Sequence, residues 1–307
     1  MTATSKSTGW WRGQTFTAVL LLIIIVLTAW ALLTGAGAAA SGVAPLTAGR
    51  EILLVVVGFF AGVLGGLIGT GGCSLMLPVI HFWMGYPAPI AVGTTLFAVI
   101  FTALSGAWGH LIRRNVDTRA FLWLGGGGIL GVLLGSWLFT LLSGQSKLLG
   151  LILGVIFLWP AIRMVYEGVV QRAMPKREGA GIPGSGWGMA VFGFIVGIAT
   201  GLAGVGGGYA LVPGLIYLFG APVYITMGTS LATMIPLAVV GGGIKLAQGF
   251  VHLPTGLLLA LGTIVGAQVG AAIIKRIKPA TLKLIFGLYF LYVAVKFITN
   301  FFGIAIW

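Results

Sequence analysis

The sequence predicts an all-α integral membrane protein built from two copies of one unit. Of its 307 residues, 59% are hydrophobic and only 7% are charged, which is too apolar for a soluble globular domain. Several stretches exceed the roughly 18 apolar residues that are typical of a membrane-spanning helix. The strand-like alternation of an outer-membrane barrel is absent from the sequence. A glycine pattern that recurs after 135 positions indicates the duplication.

The two copies align without a gap over their glycine-rich breaks and the segments that follow. Residues 69–78 line up with residues 204–213. Residues 93–96, which read Gly-Thr-Thr-Leu, line up with residues 228–231, which read Gly-Thr-Ser-Leu. Duplicated hydrophobic units interrupted by glycine are typical of secondary transporters with inverted repeats. The pattern therefore favours a transporter.

The predicted helices divide the chain into five segments. These are an N-terminal cytoplasmic tail with an extra transmembrane helix (1–50), repeat 1 (51–167), a cytoplasmic linker (168–186), repeat 2 (187–300) and a C-terminal tail (301–307). The extra helix, at about 16–34, resembles a signal peptide, but its apolar run exceeds the usual 7–15 residues or so and favours a retained signal anchor.

Each repeat is predicted to contain a broken pair of helices and three long helices. The broken pairs cover 51–68 with 73–84 and 187–203 with 208–219, and the long helices cover 88–112, 119–142, 147–167, 223–248, 253–275 and 279–300. The second member of each pair reaches about 18 Å, too short to cross a hydrocarbon core of about 30 Å.

Basic residues predict the orientation of these helices, because Lys and Arg collect on the cytoplasmic side. The four basic regions contain Lys6 and Arg12; Arg113, Arg114 and Arg119; Arg163, Arg172, Lys176 and Arg177; and Lys275, Arg276, Lys278 and Lys283. With these regions inside, each broken pair returns to its own side as a re-entrant hairpin. Three further crossings, an odd number, then invert the two copies relative to each other. Hairpin arms that both cross fully would keep the same parity, and this alternative stays open.

The two breaks, tip 1 (residues 69–72) and tip 2 (residues 204–208), are the strongest candidates for a binding site. Irregular backbone at membrane depth is tolerated only inside protein or beside a cavity. A short helix starts after each tip, and two such N-termini meeting near the midplane would favour an anion. Tight helix packing is the alternative role of these glycines. The candidate residues are Gly69, Thr70, Gly71, Gly72, Cys73, Ser74, Gly204, Val205, Gly206, Gly207, Gly208 and Tyr209.

Polar side chains elsewhere extend the candidate site. Two matched hydroxyl pairs can donate to an anion, although hydroxyls in membrane helices often bond to their own carbonyls. These residues are Thr94, Thr95, Thr229 and Ser230. Lys245, which aligns with His110, is expected to draw anions in, with snorkelling to the interface as the alternative. His110 and His252 are themselves expected at the membrane interface.

Residue counts exclude several kinds of chemistry. The four acids, Glu51, Asp117, Glu167 and Glu178, all fall in predicted helix ends or loops, which disfavours a carboxylate proton relay. The single cysteine excludes an intrachain disulfide, and its match to Gly208 favours a packing role for Cys73. Catalytic constellations, nucleotide motifs and metal-ligand clusters are absent from the sequence, so we expect neither an enzyme nor a cofactor. The net charge of +13 reflects topology rather than nucleic-acid binding.

Taken together, these motifs resemble those of the TauE/SafE sulfite exporter family. The pattern G-x-x-x-G-L-x-G-x-G-G-G covers residues 197–208 and, more loosely, residues 62–73, where Cys73 replaces the last glycine. The resemblance spans about residues 52–300. It implies a transporter of the bacterial inner membrane, whose substrates are sulfite or organosulfonates such as sulfoacetate. The basic regions separately predict a cytoplasmic N-terminus and a C-terminus outside. The two inverted copies predict transport by alternating access.

Two alternatives to this interpretation are an anion channel and a transporter of carboxylates that lack sulfur. The partners expected are a small anion and the lipid bilayer. A coupling ion, either H+ or Na+, and a homodimer stay open, as does the direction of transport.

Overall fold

The computed structural model describes residues 4–37, 43, 45–170, 181–204, 206–273 and 279–304. Over these ranges the chain is helical and contains no strand, which confirms the predicted all-α class. The helices are α1 Thr4–Thr34, α2 Ala48–Ile68, α3 Cys73–Pro78, α4 Ala88–Ile112, α5 Thr118–Leu142, α6 Ser146–Val169, α7 Gly186–Ala203, α8 Gly208–Tyr217, α9 Val223–Ala247, α10 Leu253–Ile273 and α11 Pro279–Phe301. Eight of the described helices are long and apolar enough to cross a membrane.

Each hairpin combines one long arm with one short arm. Helix α2 has 21 residues and α7 has 18, so that each reaches about 30 Å and could span a bilayer by length alone. Helix α8 has 10 residues and reaches about 15 Å. Helix α3 has 6 residues and continues as a π-helical turn over Val79–Trp83. The short second arms confirm the predicted lengths, while the re-entrant path stays a prediction.

The helices pair across the two copies in a matched way. Helix α2 packs along α10, and its counterpart α7 packs along α5. Helix α4 packs on its own counterpart α9, and α6 on its counterpart α11. Each copy thus contributes half of every pair, so the main helix contacts are made between the two copies.

The central helices α4 and α9 run in opposite directions. A Cβ added to Gly93, near the start of α4, would lie 2.2 Å from the carbonyl oxygen of Phe250, which follows the end of α9. A Cβ added to Gly228, near the start of α9, would lie 2.0 Å from the carbonyl oxygen of Asn115, which follows α4. This matched pair is therefore antiparallel, and the orientation of the two copies in a bilayer stays a prediction.

Glycines let the long hairpin arms touch their partners backbone to backbone. A Cβ added to Gly62 on α2 would lie 2.4 Å from the carbonyl oxygen of Thr263 on α10. A Cβ added to the matched Gly197 on α7 would lie 2.2 Å from the carbonyl oxygen of Gly128 on α5. Small residues at such contacts are typical of membrane helix packing. Glycines within the arms therefore serve close helix packing.

The pair formed by α6 and α11 closes over the short arms. Phe297 of α11 stacks on His81 at an interplanar angle of 3° and on Phe157 of α6 at 2°. Phe157 also contacts the ring of Tyr209, the second residue of α8. Helix α1 lies outside this arrangement and packs mainly on α10, where Ile24 is fully buried.

Candidate functional site

The described glycines of the two tips have matched backbone conformations. Three glycines in each tip adopt positive φ angles, which L residues with a Cβ rarely adopt. The angles are +79° at Gly69, +73° at Gly71 and +74° at Gly72 in tip 1, and +66° at Gly204, +68° at Gly206 and +78° at Gly207 in tip 2. The matched sequence therefore produces matched left-handed turns, each of which ends a long arm and starts a short one.

The two tips touch each other. A Cβ added to Gly208 would lie only 2.4 Å from the Cα of Thr70 and 2.6 Å from the carbonyl oxygen of Gly69. A Cβ added to Gly206 would lie 3.6 Å from the Sγ of Cys73. Backbone of one copy thus lies directly against backbone of the other, between residues that are more than 130 positions apart in the chain.

A proline at the sixth position of each short helix alters its hydrogen bonding. Pro78 and Pro213 occupy matched positions inside the helical segments. Because proline has no N–H, it cannot donate the regular helical hydrogen bond to the carbonyl four residues earlier. In copy 1 the helix then widens, so that Met84 N–H donates to the Val79 carbonyl at 3.1 Å. The regular hydrogen-bond ladder of both short helices is therefore interrupted.

One of the predicted hydroxyls contacts a tip and its counterpart does not. Ser230 donates to the carbonyl oxygen of Gly69 at 2.9 Å, which ties the second copy's α9 to tip 1. Thr95 donates to the carbonyls of Ala91 and Val92 in its own helix, at 2.8 and 3.1 Å. Only the first of these two hydroxyls is therefore engaged with the candidate site.

The other two predicted hydroxyls support the starts of helices. Thr94 Oγ1 accepts from the backbone N–H of His252, and the matched Thr229 Oγ1 accepts from that of Asp117, both at 2.9 Å. These N–H groups precede α10 and α5, where helices have donors without intrahelical partners. Both hydroxyls thus stabilise the fold as acceptors, and the anion binding expected of them stays a prediction.

Replacing Thr94 or Thr229 by valine should lower stability more than it lowers transport. Each variant leaves a buried N–H without its acceptor, which costs about 1–3 kcal/mol. Thermal unfolding in detergent should therefore shift down for both variants. Thr102→Val is the matched control, because Thr102 bonds only weakly, at 3.3 Å, within its own helix. Lost transport with unchanged unfolding would instead assign these hydroxyls to the ligand.

Lys245 and His110 make equivalent hydrogen bonds in the two copies. Nζ of Lys245 donates to the carbonyl oxygen of Gly201, and Nε2 of His110 donates to that of Gly66 at 3.1 Å. Both carbonyls belong to the last turn of a long hairpin arm, where carbonyls lack intrahelical partners. A basic group there also complements the negative end of the helix dipole. The two side chains therefore hold the arms just before the tips.

The burial of these basic residues differs from expectation. Lys245 is 0% exposed and lies 4.2 Å from the centroid of the Phe139 ring, so it does not snorkel. His110 and His252 were expected at the membrane interface, yet they are 0% and 3% exposed. Nδ1 of His110 has no hydrogen-bond partner among the described residues. This burial could not be predicted, because helix position does not reveal which face a neighbouring helix covers. The depth of His110 and His252 in a bilayer stays a prediction.

The remaining predicted site residues lie close to the tips. Thr70, Cys73, Ser74 and Tyr209 are all buried. Cys73 Sγ lies 3.8 Å from the carbonyl oxygen of Thr70, and its predicted packing role stays a prediction. Val205 lies outside the described residues. Several linker and loop basic residues used for the topology also fall outside them, namely Arg172, Lys176, Arg177, Lys275, Arg276 and Lys278.

Sequence analysis missed an ion pair beside tip 1. Arg163 had been grouped with a cytoplasmic loop but lies within α6, and Glu167 lies in the last turn of the same helix, at the predicted helix end. Nε of Arg163 donates to Oε1 of Glu167 at 3.0 Å, and the Glu167 side chain is only 5% exposed. The i, i+4 spacing of opposite charges in an apolar helix was the signal that could have identified the pair. The described residues contain no cluster of three or more potential metal ligands.

Comparison with known proteins identifies relatives over most of the chain. A family model described as "Sulfite exporter TauE/SafE" matches residues 54–297. "Probable membrane transporter protein YdhB" of Bacillus subtilis (strain 168) is 28% identical over 76% of this chain and 94% of its own length. "Probable membrane transporter protein YunE" of the same strain is 26% identical over 80% of this chain and 97% of its own length.

An archaeal relative extends the similarity beyond bacteria. "Probable membrane transporter protein MJ0441" of Methanocaldococcus jannaschii is 28% identical over 76% of this chain and 89% of its own length. No solved structure matches the chain significantly.

Proposed function

The chain belongs to the sulfite exporter TauE/SafE family, and from this membership we propose that it moves small sulfur-containing anions across the membrane by alternating access. It is a multi-pass membrane protein and a membrane transporter, like the relatives that carry that name. The candidate substrates are sulfite and organosulfonates such as sulfoacetate. The bacterial inner membrane, with the N-terminus cytoplasmic, is the proposed location.

The contact between the tips is the observation that carries this proposal. Gly208 and Thr70 meet backbone to backbone, with too little room for one added Cβ. If the copies are inverted in the bilayer, hairpins that enter from opposite sides and touch must reach a common depth. The depth that matched hairpins reach equally from both sides is the midplane, where secondary transporters bind substrates.

The chemistry of the tips suits an anion. Left-handed glycines expose backbone N–H groups, and the helix that follows each tip adds a positive dipole end. The tip residues carry no carboxylate, and Lys245 and His110 hold basic groups one turn away. A carboxylate in the tips would repel an incoming anion. The backbone N–H groups, the helix dipoles and the nearby basic groups instead favour its binding. Alternating access would follow if the two matched copies exchanged conformations, so that the site opened first to one side of the membrane and then to the other.

Transport in proteoliposomes tests the proposal. Vesicles preloaded with unlabelled sulfoacetate should accumulate labelled sulfoacetate by counterflow, and uptake should saturate. Sulfite should compete, whereas acetate and propionate should compete more weakly. Uptake that stays linear with concentration and shows no counterflow would identify an anion channel. Preferred uptake of acetate or propionate would assign the chain to carboxylates instead.

A further inference from the structure

A partly open cavity lies between tip 1, α6 and α8. Its wall includes Thr70 of tip 1 and Gly208 and Tyr209 of α8, so that it opens directly beside the contact of the two tips. Most of the remaining wall is apolar, including Ile68, Met164, Val212, Pro213 and Ile216. The charged groups in the wall are those of Arg163 and Glu167.

Arg163 is held in the cavity wall by two contacts. Its Nε donates to the Glu167 carboxylate at 3.0 Å, and its Cζ lies 4.1 Å from the centroid of the Tyr217 ring. The Tyr217 hydroxyl is also a hydrogen-bond partner of Glu167. These contacts fix the plane of the guanidinium while the side chain stays 38% exposed. The group is therefore positioned in advance and still accessible from the cavity.

A guanidinium has five N–H donors, more than one carboxylate oxygen can accept. Its planar fork fits the paired oxygens of a carboxylate or sulfonate. In the structure, the Glu167 carboxylate takes the position beside the Arg163 guanidinium that such an anion would occupy. An incoming anion would therefore share or take over the donors that Glu167 now uses.

We infer that this cavity binds a small organic anion, whose charged head engages Arg163 and whose hydrocarbon part lies against the apolar wall. The inference rests on the proposed function and narrows its substrate class. A bare inorganic anion would leave Ile68, Val212 and Ile216 without contact, whereas a short alkyl chain would cover them. Organosulfonates with a few methylene groups should therefore bind more tightly than sulfite.

Binding to the purified full chain in detergent, measured by isothermal titration, tests the substrate class. The probes are sulfite and the methane-, ethane-, propane- and decanesulfonate ions. Affinity should rise by about fourfold per methylene from methane- to propanesulfonate, as each CH₂ leaves water. It should then level off, because the cavity is limited in size. Equal affinity for sulfite, or a rise that continues to decanesulfonate as in a lipid-filled groove, would overturn the inference.

Substitutions of the ion pair should change propanesulfonate binding in opposite directions. Arg163→Gln removes the anchor and should weaken binding at least tenfold, with Arg163→Lys intermediate because lysine keeps the charge and loses the fork. Glu167→Gln removes the competing carboxylate and should tighten binding several-fold. An ion pair that is only structural predicts weakened binding from both substitutions, which would overturn the inference. Arg114→Gln, at an exposed position outside the cavity wall, is the control.

The same measurements separate this inference from the proposed function. A wild-type chain that transports sulfoacetate, and whose propanesulfonate binding is unchanged by Arg163→Gln, overturns the cavity site alone. A wild-type chain that neither binds nor transports any of these anions overturns both. Thermal unfolding of each variant shows whether it is folded, and Arg163→Lys provides the result if Arg163→Gln does not fold.

Discussion

Gly208→Ala should reduce transport by about tenfold to a hundredfold. The new Cβ would lie 2.4 Å from the Cα of Thr70 and 2.6 Å from the carbonyl oxygen of Gly69, and backbone at both places cannot rotate away. The tips must therefore separate, and overpacking of this kind costs about 1–3 kcal/mol. Because the proposed site is formed by the tips together, that separation should impair it directly. Counterflow of labelled sulfoacetate in proteoliposomes measures the effect.

Gly243→Ala is the matched control for this variant. Gly243 lies in α9 and is exposed, and a Cβ added to it would meet nothing within 4 Å. Alanine is also the better helix former, so this control should keep transport and stability. Wild-type transport by a correctly inserted Gly208→Ala chain would argue decisively against a site at the tips.

Lys245→Met should lower both stability and transport. Methionine fills much of the buried space but leaves the carbonyl oxygen of Gly201 without its donor, at a cost of about 1–3 kcal/mol. The last turn of α7 leads directly into tip 2, so loosening it should disturb the tip. We expect a lower unfolding temperature in detergent and a loss of transport of about tenfold or more.

The internal symmetry supplies a rescue variant for this prediction. His110 reaches the equivalent carbonyl, of Gly66, in the other copy, so Lys245→His should retain more transport than Lys245→Met. Lys147→Met, at an exposed position near the start of α6, is the control for loss of a positive charge. Equal defects in the histidine and methionine variants would show that the lysine charge itself, rather than the hydrogen bond, is required.

Much of the fold could be predicted because its signals are local. The predicted helix at 88–112 coincides with α4, and the prediction at 279–300 ends one residue before α11 does. The breaks at Gly69 and Gly204 were predicted because glycine tolerates left-handed backbone, and both residues have positive φ. Helix α1 begins at Thr4, well before the predicted residue 16, because its first turns lack the apolar run used to find it.

The candidate site could be predicted only in part. Repetition of the glycine pattern identified both tips, yet their mutual contact depends on how α2, α7, α4 and α9 pack. The hydrogen bond of Thr94 could not be predicted, because its partner, the N–H of His252, is 158 residues away in sequence. Arg163 was interpreted as a topological marker, since nothing local shows that α8 and Tyr217 enclose it.

The sequence by itself determined the membrane class, the duplication, the helix lengths and the positions of the two breaks. These depend on hydrophobicity and backbone preference, which act over neighbouring residues. Only the tertiary structure decided that the tips touch, that Lys245 and His110 bind matched carbonyls and that Arg163 faces a cavity. Those features are contacts between helices distant in the chain, and their geometry depends on close packing at glycine-lined interfaces rather than on any local preference.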